Sequence, residues 1–169
     1  AGKEVWTRQF GSSRADMAWS VAVDGAGNVY VAGYAGGDLP GQASVGGPDA
    51  FLRKYDSIGE ELWTRQFGSS GEDDGRVVAV DGVGNVYVVG SVRGALPGQA
   101  SVGGPDAFLR KYDSIGEELW TRQFGTSSVD YGSAVAVDVA ENVYVAGYAG
   151  GALPDQASAG GPDAFLRKY

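Results

Sequence analysis

The sequence repeats itself every 57 residues, with no insertion or deletion between the copies. Residues of three kinds keep this step along the chain: Trp6, Trp63 and Trp120; Asn28, Asn85 and Asn142; Pro48, Pro105 and Pro162. A fixed period of this length indicates a repeat architecture, in which each copy is one supersecondary unit that buries its apolar surface against its neighbours. We therefore divide the chain into three units, at about residues 1–57, 58–114 and 115–169.

Each unit contains four short runs rich in β-branched and aromatic residues, with no proline inside them. In the middle of the chain these runs are residues 77–80, 85–89, 106–112 and 118–124. Tight turns rich in Asp and Gly (81–84 and 113–116) and longer loops (91–105 and 125–132) join them. The pattern predicts an all-β fold, a β-propeller of four-stranded antiparallel blades, with buried first and second strands and half-exposed third and fourth strands.

The composition argues against several classes of function. The 169-residue chain has no Cys and no His, so it lacks thiolate ligands, disulfides and the imidazole that most often binds metals or acts as a general base. Its formal net charge of −8 argues against a nucleic acid partner. No apolar run approaches the roughly 20 residues of a membrane span. We expect no cofactor, no bound metal, no insertion into a membrane and no enzymatic activity.

Three motifs of the repeat resemble a known family. They are the run Gly-Asn-Val-Tyr-Val-Ala-Gly at 27–33, the run Gly-Gly-Pro-Asp-Ala-Phe-Leu-Arg-Lys-Tyr-Asp at 46–56, and the run Leu-Trp-Thr-Arg-Gln-Phe-Gly at 62–68. They are similar to the bacterial β-propeller repeats of the SBBP type, whose layout is close to that of NHL-type blades. The resemblance implies a propeller, often part of a large secreted or surface-associated bacterial protein, and it brings no catalytic residues. It favours an extracellular or cell-surface location, although this chain shows no signal peptide.

The units are cut out of phase with the blades. Residues 4–10 have the sequence of a fourth, outer strand, whereas residues 163–169 have the sequence of a third strand. Since three blades are too few to close a ring, and an open arc exposes apolar faces and a strand edge, we predict closure by self-association. Two chains would form a six-bladed homodimer in which each outer strand 4–10 completes the last blade of its partner. A nine-bladed trimer and a fragment of a longer propeller are the alternatives.

The three copies differ mainly in two places. One is the approach to the first strand (14–20, 71–77 and 128–134), and the other is the start of the long loop (34–38, 91–95 and 148–152). In an antiparallel meander both places lie on one face of the ring, near the mouth of its channel. Because binding residues tend to lie on loops of a rigid scaffold, we predict a ligand-binding rim there, with neutral drift as the alternative. The rim residues are Arg14, Asp16, Trp19, Tyr34, Asp73, Asp74, Arg76, Arg93, Asp130, Tyr131 and Tyr148.

Several rim and repeat residues have two interpretations. Asp16, Asp73 and Asp130 could form a circle of carboxylates that attracts a cation, but an Asp in a Gly/Ser-rich turn more often binds backbone N–H groups. The run 24–28 weakly resembles a calcium loop, yet it also fits a hairpin turn, which we favour. The periodic tryptophans fit packing better than sugar stacking. Trp19, which only the first unit has, is the better candidate for ligand contact.

Three hypotheses for function follow. The first is a non-catalytic propeller that acts as a binding or assembly scaffold and is completed by self-association. The second is a carbohydrate-binding, lectin-like propeller that uses the variable rim. The third, an enzyme with carboxylate or tyrosine chemistry in the channel, has the least support, because no nucleophile–base pair or metal cluster can be assembled from this composition.

Overall fold

The short apolar runs fold into eleven strands, and tight Asp-Gly turns or longer loops connect them. A computed structural model describes residues 2–169, and this part of the chain contains no helix, hence none that could span a membrane. The strands are β1 (Asp16–Val23), β2 (Val29–Ala35), β3 (Asp49–Tyr55), β4 (Glu61–Phe67), β5 (Asp73–Val80), β6 (Val86–Val92), β7 (Asp106–Tyr112), β8 (Glu118–Phe124), β9 (Asp130–Val137), β10 (Val143–Ala149) and β11 (Asp163–Lys168).

The strands form three separate antiparallel sheets. Strands β1 to β4 form the first sheet and β5 to β8 the second, each in sequence order, whereas the third contains β9, β10 and β11 in that order. Every neighbouring pair is antiparallel, so each sheet is a simple meander. The predicted all-β class is confirmed, and two of the three sheets have the predicted four strands, whereas the third has three within residues 2–169.

An aspartate fixes each turn between the first and second strands. Asp81 Oδ1 accepts hydrogen bonds from the backbone N–H groups of Val83 (3.1 Å) and Asn85 (2.8 Å), and its Oδ2 accepts from Asn85 Nδ2 (2.7 Å) and the Tyr87 hydroxyl (3.0 Å). Burial alone would raise the pKa of Asp81, but these hydrogen bonds outweigh it and lower the pKa. The same bonds form at Asp24, so residues 24–28 are a hairpin turn, as predicted.

The middle strands of the first and second blades are the buried ones. All seven residues of β3 are buried, including Arg53 and Lys54, although the alternation of its sequence predicted a half-exposed strand. The prediction was wrong because β3 lies between β2 and β4, and the neighbouring blade also covers it. Arg53 keeps an ion pair with Glu61 at 3.2 Å and stacks on the ring of Phe10 at 4.0 Å. Conversely, β1, which was predicted to be buried, is largely exposed, because within residues 2–169 only β2 and β5 pack extensively against it. Strand β5 of the middle blade, which also contacts β9, is more buried.

Neighbouring blades pack face to face through two apolar cores. The first core joins Tyr30 and Leu52 of the first blade to Val78 and Phe108 of the second. The second core repeats the arrangement one blade later and includes Leu109 and Val145. The first strands contact one another, β1 with β5 and β5 with β9, and therefore lie on the inner side of the arc.

Candidate functional site

A β-bulge in the first strand of each blade sets the geometry of the inner rim. The pairing register shifts between Ala18 and Ser20 in β1, so Trp19 is the extra residue, and Arg76 is the extra residue of the corresponding shift in β5. A bulge leaves one residue unpaired and changes the direction of its side chain. In β9 the pairing passes from Gly132 to Ala134, which makes Ser133 the third bulge residue.

A glycine faces each bulge on the second strand. A Cβ atom on Gly90 would overlap the backbone carbonyl oxygen of Asp74, and a Cβ on Gly33 would meet the carbonyl oxygen of Met17 in the same way. These glycines therefore allow the two backbones to approach closely where the strand bulges.

The bulge residues and their neighbours form one continuous wall across the three blades. Trp19 packs on Tyr34 with ring centroids 6.2 Å apart, and Tyr131 packs on Tyr148 at 5.2 Å. Arg76 lies between these pairs, with its guanidinium 4.3 Å from the Tyr131 ring centroid. The predicted rim residues Trp19, Tyr34, Arg76, Tyr131 and Tyr148 thus come together on the inner side of the arc.

Charged groups in the middle blade are held in fixed positions. Arg76 Nε and Nη2 both donate hydrogen bonds to Asp74 Oδ2, at 3.1 and 3.0 Å, and the Ser91 hydroxyl donates to the same oxygen at 3.1 Å. Burial and then the nearby Tyr131 raise the pKa of Tyr148 above its ordinary value of 10.0. Its hydroxyl, like that of any tyrosine at neutral pH, is protonated and can donate a hydrogen bond.

A shallow recess of about 250 Å³ opens in this wall, lined by Trp19, Arg76, Val77 and Ser133. Trp19, Arg76 and Ser133 occupy equivalent positions in the three units. Their side chains carry an indole, a guanidinium and a hydroxyl. The recess therefore offers one flat apolar surface and several hydrogen-bond donors, a combination typical of sites for small polar ligands. Sequence analysis did not single out Ser133, although its distance of 57 residues from Arg76 was a usable signal.

The three aspartates that begin the first strands serve as loop anchors. Asp73 is buried and accepts hydrogen bonds from the Ser69 hydroxyl (2.8 Å) and the backbone N–H groups of Ser69 (2.5 Å) and Arg93 (3.0 Å). Asp16 and Asp130 make the same bonds in their own units. Their carboxylates thus tie the loop before the first strand to the loop after the second. Within residues 2–169, no group of three or more acidic residues has the spacing of a metal site.

The two remaining rim residues lie further out. Arg93 is exposed and approaches Glu72 at 3.7 Å, whereas Arg14 is exposed on the loop that precedes β1. An exposed ion pair of this kind contributes little to stability.

A pair of buried carboxylates between blades was not predicted. Asp49 and Asp73 are both almost fully buried. A Cβ atom on Gly68 would overlap both Asp49 Oδ1 and Asp73 Oδ2, so these two oxygens lie less than about 5 Å apart. Asp49 Oδ1 has no hydrogen-bond partner within residues 2–169. Burial is the main reason that the pKa of Asp73 is raised, and the charge of Asp49 adds to it. Asp106 and Asp130 form the same arrangement around Gly125.

The periodic tryptophans are packing residues. Trp63 lies against Tyr30 with centroids 6.2 Å apart, and its indole N–H donates to the carbonyl of Ser114 at 3.3 Å. Trp120 packs between Tyr87 and Tyr169, at 6.4 and 6.2 Å.

The segment 4–10 takes the place of an outer strand without belonging to a sheet. Phe10 meets Phe51 edge to face at 5.5 Å, as Phe67 meets Phe108 at 5.6 Å. Arg8 Nε donates to the carbonyl of Gly59 at 2.7 Å. One unit later, Arg65 Nε donates to the carbonyl of Gly116 at the same distance, 2.7 Å. Within residues 2–169, this segment pairs with no other strand and therefore belongs to no sheet.

The outer edge of β11 lacks the neighbouring strand that β4 and β8 provide in the other two sheets of the described chain. Leu166 of β11 is 73% exposed, whereas the equivalent Leu52 and Leu109 are fully buried. A cavity of about 300 Å³ lies beside this edge, between β11 and the loop that contains Leu153 and Gln156. Within residues 2–169, the structure thus has an outer segment without a sheet before β1 and a sheet without an outer strand at β11.

Comparison with known proteins agrees with this architecture. A family model described as SBBP, beta-propeller repeat, matches residues 5–40, 62–91 and 119–153, more than half of the chain. The regulatory protein FlaEY of Caulobacter vibrioides is 35% identical over 143 residues, which cover 78% of this chain and 15% of that protein. An uncharacterized WD repeat-containing protein, L264, of Acanthamoeba polyphaga mimivirus is 24% identical over 201 aligned residues, which cover 95% of this chain and 14% of that protein.

The chain thus spans about 15% of the length of these two relatives. Both the blade-like meanders and the family match lead to the same assignment. The protein belongs to the SBBP family of β-propeller repeats.

Proposed function

We propose that this chain is a non-catalytic propeller scaffold that assembles with copies of itself into a closed ring through exchange of its outer strand. The observation that carries the proposal is the position of residues 4–10. This segment packs on the first blade with the contacts that β4 makes to the second blade, including a guanidinium stacked on a phenylalanine: Arg53 on Phe10 at 4.0 Å, and Arg110 on Phe67 at 4.2 Å.

The two open faces of the arc are also complementary. Within the chain, Leu52 and Val78 meet in the core between the first and second blades. Their equivalents at the ends of the arc are Leu166, 73% exposed, and Val21, 64% exposed, whereas Val78 is only 6% exposed. A second copy placed with the same blade-to-blade geometry would bury both side chains. Burial of a leucine and a valine stabilises by roughly 1.5–3 kcal/mol each.

The solution mass of the chain tests this proposal. Native mass spectrometry over a range of concentrations should find a closed dimer of twice the 17.4 kDa chain mass. Three chains would mean a nine-bladed ring closed in the same way. A well-folded monomer at every concentration would refute self-assembly and leave an open arc.

A second candidate function is the binding of a neutral carbohydrate at the inner rim. The recess beside Trp19 supports it, because the indole is 52% exposed and could stack on the apolar face of a sugar. Arg76, Asp74 and Ser133 then supply donors and acceptors for hydroxyl groups. The bulge itself does not require Trp19, Arg76 or Ser133, since the three units carry three different residues at this position.

A glycan-array screen of the intact chain tests this second candidate. A bound glycan should lose its signal in the variant Trp19→Ser, which carries the residue type that the third unit has at the same bulge. The control is Ile58→Ser, an exposed apolar residue in the turn at the other end of the first blade. If no glycan binds, or if both variants lose binding equally, the rim is not a carbohydrate site.

A further inference from the structure

A glutamine from the fourth strand fills a socket in each complete blade. Gln66 Nε2 donates to the carbonyl of Gly37 at 3.0 Å and to Asp49 Oδ2 at 3.1 Å, and its Oε1 accepts from the backbone N–H of Leu39 at 2.9 Å. The backbone N–H of Gln66 donates to Gln42 Oε1 at 3.0 Å. One side chain thus fastens the long loop to the outer strand.

The second blade repeats the socket with nearly the same distances. Gln123 Nε2 donates to Gly94 and Asp106, both at 2.8 Å, and Gln123 Oε1 accepts from Leu96 at 2.9 Å. The Gln123 N–H again donates to a glutamine of the loop, Gln99, at 3.0 Å. Two independent copies of one geometry show that the socket is a fixed feature of the blade.

The third blade has the socket but no glutamine in it. The equivalent residues Gly151, Leu153, Gln156 and Asp163 all line the cavity of about 300 Å³ beside β11. Asp163 Oδ2 accepts one hydrogen bond, from Ala159 at 2.9 Å, and so leaves the place of the glutamine donor unfilled. The loop around this socket is formed, so the site is ready to accept a strand.

We infer that the socket of the third blade binds Gln9 of a second copy of this chain. Gln9 stands at the same point of the repeat as Gln66 and Gln123, and it is exposed in the single chain. None of the hydrogen bonds within residues 2–169 uses its side chain. This inference rests on the proposed ring, and it names the residue by which the partner strand is recognised.

The register of the exchanged strand follows from the complete blades. In the first blade, Phe51 pairs with Gln66 and Leu52 with Arg65. The second blade repeats this register, with Phe108 opposite Gln123 and Leu109 opposite Arg122. In the third blade, the same register pairs Phe165 with Gln9 of the second copy, and Leu166 with Arg8. Hydrogen bonds along the strand edge provide affinity, and the socket fixes the register, which backbone pairing alone specifies weakly.

A glutamine suits this socket for a chemical reason. The amide presents donors to a glycine carbonyl and an aspartate while its oxygen accepts a backbone N–H, so every polar group is paired. A glutamate of the same shape would place a second carboxylate against Asp163. An alanine would leave the N–H of Leu153 and the carbonyl of Gly151 without their partner in a buried place.

The test compares the full-length chain with Gln9→Ala, and sedimentation velocity gives the dissociation constant of the assembly. We expect Gln9→Ala to weaken assembly about a hundredfold, with an unchanged melting temperature at concentrations where both chains are monomeric. The control Gln66→Ala removes the same contacts inside one chain. It should lower the melting temperature but leave the dissociation constant unchanged.

The outcomes separate this inference from the proposed ring. If the wild-type chain never associates, the ring proposal fails and the inference fails with it. If the wild type associates and Gln9→Ala associates equally well, the ring stands and the glutamine socket is refuted. If Gln66→Ala weakens association as strongly as Gln9→Ala, the effect comes from the stability of the blades, and recognition by Gln9 is likewise refuted.

Discussion

The carboxylate pair between the first two blades gives a prediction that runs against the usual effect of core substitutions. We expect Asp49→Asn to stabilise the chain at neutral pH. Asp49 Oδ2 already accepts hydrogen bonds from the backbone N–H of Val45 (2.8 Å) and from Gln66 (3.1 Å), which the amide oxygen of asparagine can retain. Its other oxygen, which has no partner, faces Asp73 beside Gly68. In the variant, an amide N–H takes that place and can donate to the carboxylate of Asp73.

The magnitude follows from two opposing effects. A hydrogen bond to a charged group contributes about 1.5–3 kcal/mol, and the repulsion between two buried carboxylates is removed as well. Against this, the bonds from Val45 and Gln66 lose the charge of their acceptor and become weaker, by about 1 kcal/mol in total. The net expectation is a free energy of unfolding that is higher by about 1 kcal/mol or more.

The effect should depend on pH with a definite sign. Burial, and then the charge of Asp49, raise the pKa of Asp73 above its ordinary value of 3.8. A carboxyl group with a raised pKa in the folded state stabilises the protein below the pKa of the unfolded chain, and this contribution is lost as pH rises through the folded pKa. The advantage of Asp49→Asn should therefore be largest at neutral pH and should shrink as pH falls towards 3.8 and below.

Urea unfolding at fixed protein concentration across this pH range measures the effect. Glu117→Gln serves as the control, because it removes one negative charge at an exposed carboxylate whose ion-pair distance is 3.6 Å. Asp106→Asn, the same change one blade later, should reproduce the result. A variant less stable than the wild type at neutral pH, or a gain that does not change with pH, would refute the argument from the carboxylate pair.

Two further predictions concern the hairpin turn of the third unit and the register of the exchanged strand. Glu141 has a φ of 63°, where the other two units have glycine, so Glu141→Gly should raise the free energy of unfolding by about 1 kcal/mol in a urea titration, whereas Glu141→Ala should give no such gain. Because the chain has no cysteine, the double variant Arg8→Cys with Leu166→Cys should form a disulfide-linked assembly on non-reducing gels. The shifted pair Arg8→Cys with Arg167→Cys should not, and equal linkage in both would contradict the proposed register.

The strands and their order could be predicted from the sequence because they depend on local features. The period gives the unit, the Asp-Gly turns delimit the strands, and a meander is the simplest way to connect them. The predicted third and fourth strands of the middle unit, 106–112 and 118–124, coincide with β7 and β8. Burial was harder to predict, because Arg53 lies inside only through its neighbours Glu61 and Phe10, which a single strand does not reveal.

The rim, the carboxylate pair and the glutamine socket also differ in how far the sequence alone could reveal them. The rim could be predicted by comparing the three units, because near-identical copies make any difference visible, and Trp19 and Arg76 are such differences. That comparison cannot detect what all units share. Asp49 and Gln66 are identical in every unit, so the carboxylate pair and the glutamine socket became visible only when the structure brought them together.

The three copies of the outer strand have almost the same sequence, so sequence alone cannot decide which of them enters an open socket. Availability does. Residues Glu61–Phe67 and Glu118–Phe124 are already paired in their own sheets, whereas residues 4–10 have no sheet partner within the described chain. Transfer of a paired strand to another copy would break one set of hydrogen bonds to form an equal set, with no net gain. Transfer of the free segment forms a set that did not exist before. The exchange is therefore expected to use residues 4–10 in every copy, and a closed ring leaves none of these segments unpaired.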